Sequence, residues 1–269
     1  MLREMRSKSS ALLVASLFAI FITQTGCSFL VPRMPVKNWE KGYTIILPGI
    51  ESRHLLHREM ALGLHNGGVH GTIEIHDWTT GLPPLMLMHL RYMSRNQRQA
   101  ALVAQKIIDY QDQYPGRPVN LIGHSGGGGL ALLTLESLPE GRQVDTTILL
   151  GAAISPRFDL RTALQHSRDG IWNYSSMIMD SPLLVAGTTL AGTVDGNHMP
   201  AAGAVGFFLP DNMSDFDRWL YKNRLHEKPY RLRFLLNGNL GGHYGPMTRS
   251  FAAQHLAPII LNAAKSANE

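Results

Sequence analysis

The run Gly123-His124-Ser125-Gly126-Gly127 constrains this chain more than any other short segment. It follows Val119 to Gly123 (Val-Asn-Leu-Ile-Gly), which reads as a strand. It precedes Gly126 to Leu138, a leucine-rich segment apolar nearly all round, which predicts a central, buried helix. Gly-x-Ser-x-Gly between a strand and a helix describes a sharp turn that lifts the serine hydroxyl above the sheet edge. The flanking glycines leave room for the turn, and the next backbone N–H, that of Gly126, aims at charge developing near the serine. A phosphate-binding loop would end in Gly-Lys-Ser/Thr, and this run continues Gly-Gly-Leu-Ala-Leu. A dinucleotide fingerprint needs Gly-x-Gly-x-x-Gly, which the His-Ser pair fits poorly. Ser125 is therefore read as a nucleophile.

The rest of the chain alternates between the two periods. Tyr43 to Leu47 and Thr72 to His76 are β-branched runs, the first ended by Pro48-Gly49. Arg95 to Tyr114 places Ala100, Val103, Ala104, Ile107 and Ile108 on one face, with Ser94 and Gln97 as a capping box and Pro115-Gly116 as the stop. Thr146 to Leu150 reads as a strand, Ile171 to Met179 as a weaker one and Arg231 to Leu236 as the last. Met247 to Ala264 predicts a closing helix, and Gly187 to Gly206 a long irregular excursion. Strands alternating with helices imply an α/β fold with a mostly parallel sheet covered on both faces.

Between about Tyr43 and His243 the chain resembles the α/β-hydrolase superfamily of serine esterases and lipases. The resemblance rests on Leu47-Pro48-Gly49-Ile50, Gly123-His124-Ser125-Gly126-Gly127 and Gly241-Gly242-His243. It implies the chain order nucleophile, acid, histidine, with the histidine in a loop after the last strand. His243 fits that place. His54, His57, His65, His70, His76 and His89 precede the serine, and His124 is the motif's own x residue. His166, His198 and His226 come before the expected last strand, and His255 lies in the closing helix. The acid should follow the strand before the histidine strand; Asp180 is the first candidate, Asp195 the second, and Asp159 and Asp169 follow. The second oxyanion donor should lie after the first strand, at the N–H of Ile50 or, next, of Glu51. The resemblance implies hydrolysis of a small-molecule acyl ester through a Ser125-His243-Asp180 triad, with no metal or organic cofactor required. A non-catalytic envelope binding or scaffold protein on the same fold is the alternative. The short stretch between Leu150 and Ile171 leaves no room for a large lid domain. Gly187 to Pro229 is the candidate for a partial cover, with Phe207, Phe208 and Trp219 as candidate acyl-site residues; Met86, Leu87 and Met88 share the ambiguity between acyl site and core.

The N-terminus carries a separate signal. A basic stretch, Met1 to Ser10, is followed by an apolar one, Ala11 to Ile22, in the order of a secretory signal, and the apolar run is too short to span a bilayer comfortably. Thr25-Gly26-Cys27 resembles the cleavage site of a bacterial lipoprotein, although Gln24 stands where an aliphatic residue is usual. Cys27 is the single cysteine, which excludes an intramolecular disulfide and a cysteine-based metal cluster. The expected organisation is a signal peptide over 1–26, a tether over 27–41 and an α/β-hydrolase domain over 42–269. The expected location is the cell envelope, with a lipid on Cys27 as membrane anchor, or else a secreted or periplasmic soluble form. The formal charge of +5 is scattered, with no long Lys/Arg run, which argues against a nucleic-acid partner.

Overall fold

The computed structural model describes residues 37–177 and 180–266. Six strands form one all-parallel sheet: β1 (Tyr43–Leu47), β2 (Thr72–Ile75), β3 (Val119–His124), β4 (Thr146–Leu150), β5 (Ile171–Ser175) and β6 (Leu225–Pro229). Their spatial order is β2-β1-β3-β4-β5-β6. Every residue of β1, β3 and β4 is buried, as a parallel sheet covered on both faces requires. On one face lie α1 (Leu55–Asn66) and the closing helical run, packed through Met60, Leu64, Phe251 and Leu256 onto Ile46, Ile122 and Ile148. On the other lie α2 (Met93–Gln113) and α3 (Gly126–Glu136), with Val103, Ile107, Leu130 and Leu133 packed onto Leu47, Leu121 and Leu149. This is the α/β-hydrolase fold, without a large lid among the described residues. Nor is any helix among them long and apolar enough to cross a membrane.

The chain leaves β1 towards β2 on one side and returns to β3 on the other. A crevice therefore opens at the C-terminal ends of β1 and β3, where ligands bind in open α/β sheets. The loop after β1 and the turn after β3 both face it. A larger cavity of about 840 Å³, lined by Tyr43, Asn120, Asp145 and Arg168, opens at the opposite end of the strands, away from those loops.

Several expectations change. Arg231 to Leu236 is no strand; Leu232–Asn237 is a 3-10 turn that buries Phe234 and leaves Leu232, Leu235 and Leu236 exposed. The last strand is β6, whose sequence Leu-His-Glu-Lys-Pro lacks an apolar pattern because it is a half-exposed edge. His226 lies within it. β5 ends at Ser175 rather than Met179. α2 starts at Met93 with Tyr92 at its N-cap and no side-chain cap, so Ser94 and Gln97 form no capping box. α1 has no counterpart in the sequence reading. The Gly187 to Gly206 excursion contains two short helices, α5 (Thr188–Ala191) and α6 (Ala202–Val205), after α4 (Arg161–Gln165). Trp219 lies on α7 (Asp215–Arg224), half exposed and stacked on Phe216, whereas Met86 is in the core. The closing helix is Arg249–Phe251 (α8) and Ala257–Ser266 (α9), joined by a π-helical turn over Ala252–Leu256. Residues 1–36, with the expected signal, Cys27 and most of the tether, lie outside the described residues. Trp39 already packs edge-on against Tyr43, ring centroids 5.1 Å apart.

Glu74 on β2 fastens the sheet edge to α2. It accepts from the Tyr43 hydroxyl and from Lys106 Nζ at 2.5 Å, and His76 Nδ1 lies at 3.4 Å. Burial alone would raise its pKa, but the hydrogen bonds from His76, Lys106 and Tyr43 win and hold the carboxyl at about 2. Its folded value is depressed, so its stabilisation is complete above the unfolded carboxyl value and is lost as pH falls through about 2. Glu74→Gln should therefore cost about 2 kcal/mol near neutral pH, after allowance for partial exposure. Urea unfolding should show the gap from wild type narrowing steadily as pH falls from about 4.5. A gap constant across that range would rule out the linkage.

Candidate active site

Ser125 takes φ 54° and ψ −122°, one of two non-glycine residues with positive φ among the described residues. Such a conformation is strained and persists only where the surroundings over-determine it. Here Ser125 N–H donates to Leu150 O at 3.0 Å, and Ser125 O accepts from Gly128 N–H and Ala153 N–H, both at 2.9 Å. The elbow is thus pinned between β4 and α3. Gly127 explains the motif's last glycine: a Cβ there would lie 2.2 Å from Leu47 O and 2.4 Å from Pro48 O. Both are backbone atoms, at the end of β1 and the start of the loop that follows it, and cannot swing aside. Gly127→Ala should destabilise the fold by about 3 kcal/mol, lowering Tm by roughly 10 °C. Thermal unfolding checks this, and an unchanged Tm would contradict the close approach.

That same loop runs past the elbow. A Cβ on Gly126 would lie 2.6 Å from Ile50 Cγ2 and 3.5 Å from Ile50 N. Trp78 Nε1 donates to Pro48 O at 2.7 Å, and His89 Nδ1 meets Ile50 O at 3.1 Å while His89 Nε2 accepts from Thr80 N–H. Burial lowers the His89 pKa, so the neutral ring donates through Nδ1. Ile50 N–H makes no hydrogen bond to the described residues, and Gly126, first residue of α3, has no intrahelical acceptor for its own. Two backbone donors therefore stand side by side, one of them on the residue after Ser125.

His243 sits in a loop that Gly241 and Gly242, at φ 82° and 68°, bend into a conformation other residues rarely adopt. Asn239 Oδ1 accepts from Gly241 N–H at 2.9 Å. His243 Nδ1 lies 2.8 Å from Asp180 Oδ2, and both side chains are buried. Burial would push the His243 pKa down, but the Asp180 charge and hydrogen bond, helped by Glu51, raise it overall. Asp180 lies between β5 and a π-helical turn over Ser181–Gly187, and its carbonyl accepts from Leu183 and Leu184 N–H. The other acids are engaged elsewhere. Asp195 accepts from Ser155 N–H and Thr193 Oγ1, Asp159 pairs with Arg161, and Asp169 lies near His226.

His124 joins the two halves. Its Nε2 lies 3.0 Å from His243 O, and the two rings are 4.7 Å apart. Burial drives its pKa down to about 3, so the ring is neutral. Ser125 follows immediately, which sets the serine beside the His243 loop. The Ser125 hydroxyl makes no hydrogen bond with His243 among the described residues; in ligand-free sites that contact commonly tightens only with substrate. His243 and Asp180 themselves line a small cavity of about 20 Å³, together with Gly151, Tyr174, Ser176 and Tyr230.

The sequence points to Glu51 only through its backbone N–H and gives its carboxylate, His54 and His57 no role in the site. Glu51 is the buried carboxylate one residue past Ile50, and its Oε1 lies 3.3 Å from His54 Nε2 and 3.7 Å from His124 Nδ1. The spacing Glu51-x2-His54-x2-His57 was the available signal.

No family model and no curated protein matches the chain. Among solved structures it is similar to a lipase-esterase related protein from Clostridium acetobutylicum, at 12% identity over 86% of this chain and 98% of that one, TM-score 0.43. It is also similar to TT1662 from Thermus thermophilus, at 16% identity over 86% and 91%, TM-score 0.42. At such scores these likenesses carry no argument; the fold stands on the strand order and on the elbow after β3.

Proposed function

We propose that this chain is a serine hydrolase that cleaves carboxylic esters through an acyl-enzyme. The observation that carries this reading is the strained Ser125 elbow beside a buried His243–Asp180 pair at the crevice end of the sheet. Asp180 accepts from His243 Nδ1–H and so presents the Nε2 lone pair as the base. His243 takes the Ser125 proton as Oγ attacks the ester carbonyl. The Ile50 and Gly126 N–H groups stabilise the tetrahedral oxyanion. His243 then delivers the proton to the departing alcohol, leaving Ser125 acylated. Water, deprotonated by His243, attacks the acyl-enzyme and returns the serine and a carboxylic acid.

A panel of p-nitrophenyl esters of increasing acyl length, run on wild type and on Ser125→Ala, tests this. Release of nitrophenol by wild type alone, with a preference along the series, supports the reading. Equal release by both proteins contradicts it. In the same reading the enzyme works at the cell envelope, held by a lipid on Cys27. The mass of the mature N-terminal peptide tests that part separately, since a plain cleaved terminus would refute the anchor.

A further inference from the structure

We propose that Glu51, His57 and His124 form a zinc site that clamps the loop after β1 to the residue before Ser125. One ligating atom from each residue lies within 4.8 Å of the other two. Each residue comes from a different element: the loop after β1, the first turn of α1 and the last position of β3. The His57 and His124 side chains are fully buried, and that of Glu51 is 2% exposed.

Three buried atoms in this cluster have no hydrogen-bond partner among the described residues: Glu51 Oε2, His57 Nε2 and His124 Nδ1. Buried polar atoms are almost always satisfied, so orphans on three residues whose ligating atoms lie within 4.8 Å of one another mark a place for a ligand. The proton inventory gives its charge. His124 Nε2–H donates to His243 O, so its Nδ1 presents a lone pair towards Glu51 Oε1, 3.7 Å away. Two acceptors face each other there. His54 Nδ1 accepts from Leu56 N–H, so His54 Nε2–H donates to Glu51 Oε1. No Lys or Arg pairs with Glu51 among the described residues. A buried carboxylate without a cation is costly, and such charges are normally paired or bound to metal.

Two imidazoles and one carboxylate are the donor set of a borderline cation, zinc above the harder magnesium or calcium. Bonds of about 2.1 Å would draw the ligand atoms to roughly 3.4 Å apart, a modest contraction. His124 already has the tautomer of a metal ligand, its other N–H held by a backbone carbonyl. His57 Nδ1 accepts a long 3.3 Å bond from His54 N–H. Ligation through Nε2 moves the single ring proton to Nδ1 and ends that contact, while the Leu56 N–H bond to His54 still caps α1. The clamp ties residue 51, next to the proposed oxyanion donor Ile50, to residue 124, next to Ser125. Its consequence for turnover rests on the proposed hydrolase; the site itself does not.

Metal content of untagged full-length protein tests the proposal, by elemental analysis after dialysis against zinc and by cobalt substitution. Wild type should retain about one zinc per chain and, with cobalt, show visible bands of a low-symmetry site. His57→Gln and Glu51→Gln should each bind at least about tenfold more weakly. His65→Gln, which alters the His65–His70 pair outside this cluster, rings 5.2 Å apart, should bind as wild type does. Wild type without stoichiometric zinc, or His57→Gln retaining as much as wild type, overturns the site. Near-ultraviolet circular dichroism verifies folding of each variant, and the wild-type stoichiometry decides alone if either variant unfolds. Ester turnover without zinc would refute the clamp and leave the hydrolase standing; zinc without turnover would do the reverse.

Discussion

Ser125→Ala should lower kcat/KM on any accepted ester by a factor on the order of 10⁶, with little change in Tm. The barrier increase is about 8 kcal/mol. Alanine removes one oxygen and leaves the Cβ, so the contacts that fix the elbow remain, because all of them are backbone bonds to Leu150, Gly128 and Ala153. The loss is therefore chemical. What survives is the pull of the Ile50 and Gly126 N–H groups on a carbonyl, which in such sites leaves a rate roughly 10³-fold above that in water. A drop of only about tenfold would mean that Ser125 is not the attacking group.

Asp180→Asn should cost about 10⁴ in kcat. The amide matches the carboxylate in shape and fills the same buried place, but it offers His243 a donor as readily as an acceptor. His243 Nδ1–H then loses its fixed acceptor at 2.8 Å, and the ring populates the tautomer whose Nε2 already carries a proton. The pH profile separates this from simple disorder. Asp180 raises the His243 pKa against the effect of burial, so its removal should move the acid limb of kcat/KM to lower pH. Asp195→Asn is the contrast. Asp195 orders the turn through Ser155 N–H and Thr193 Oγ1 and touches no part of the His243 loop, so its loss should change kcat less than about tenfold. Equal effects at both positions would dissolve the assignment of the acid.

The sequence showed five of the six strands, the edge strand β2 among them, and hid the other edge, β6, for a physical reason. β1, β3 and β4 are buried on both faces, and their Ile-Ile-Leu, Leu-Ile and Ile-Leu-Leu stretches are apolar without in–out alternation. β6 is half exposed, and its Leu-His-Glu-Lys-Pro carries charges that serve tertiary contacts: Glu227 accepts from Asn173 and from Phe207 N–H. The more hydrophobic Arg231 to Leu236 drew the strand assignment, yet three of its leucines face solvent. α1 was silent because histidines supply its cap, and histidine is not a usual N-cap signal. In the site, the elbow was legible because the turn demands glycines at fixed offsets. The pairing of Asp180 with His243 spans 63 positions and is set by how β5 and the loop after β6 end, which no local pattern encodes. The Glu51-His57-His124 cluster joins three elements, one of them unread, and so emerged only in three dimensions.

The most direct measurement is the site of covalent capture. Folded wild-type protein, treated with a fluorophosphonate, should gain one adduct, located by peptide mass spectrometry on Ser125, absent after heat denaturation and absent in Ser125→Ala. Folded protein that leaves Ser125 unlabelled while other serines react as readily would contradict a nucleophile activated by His243 and Asp180.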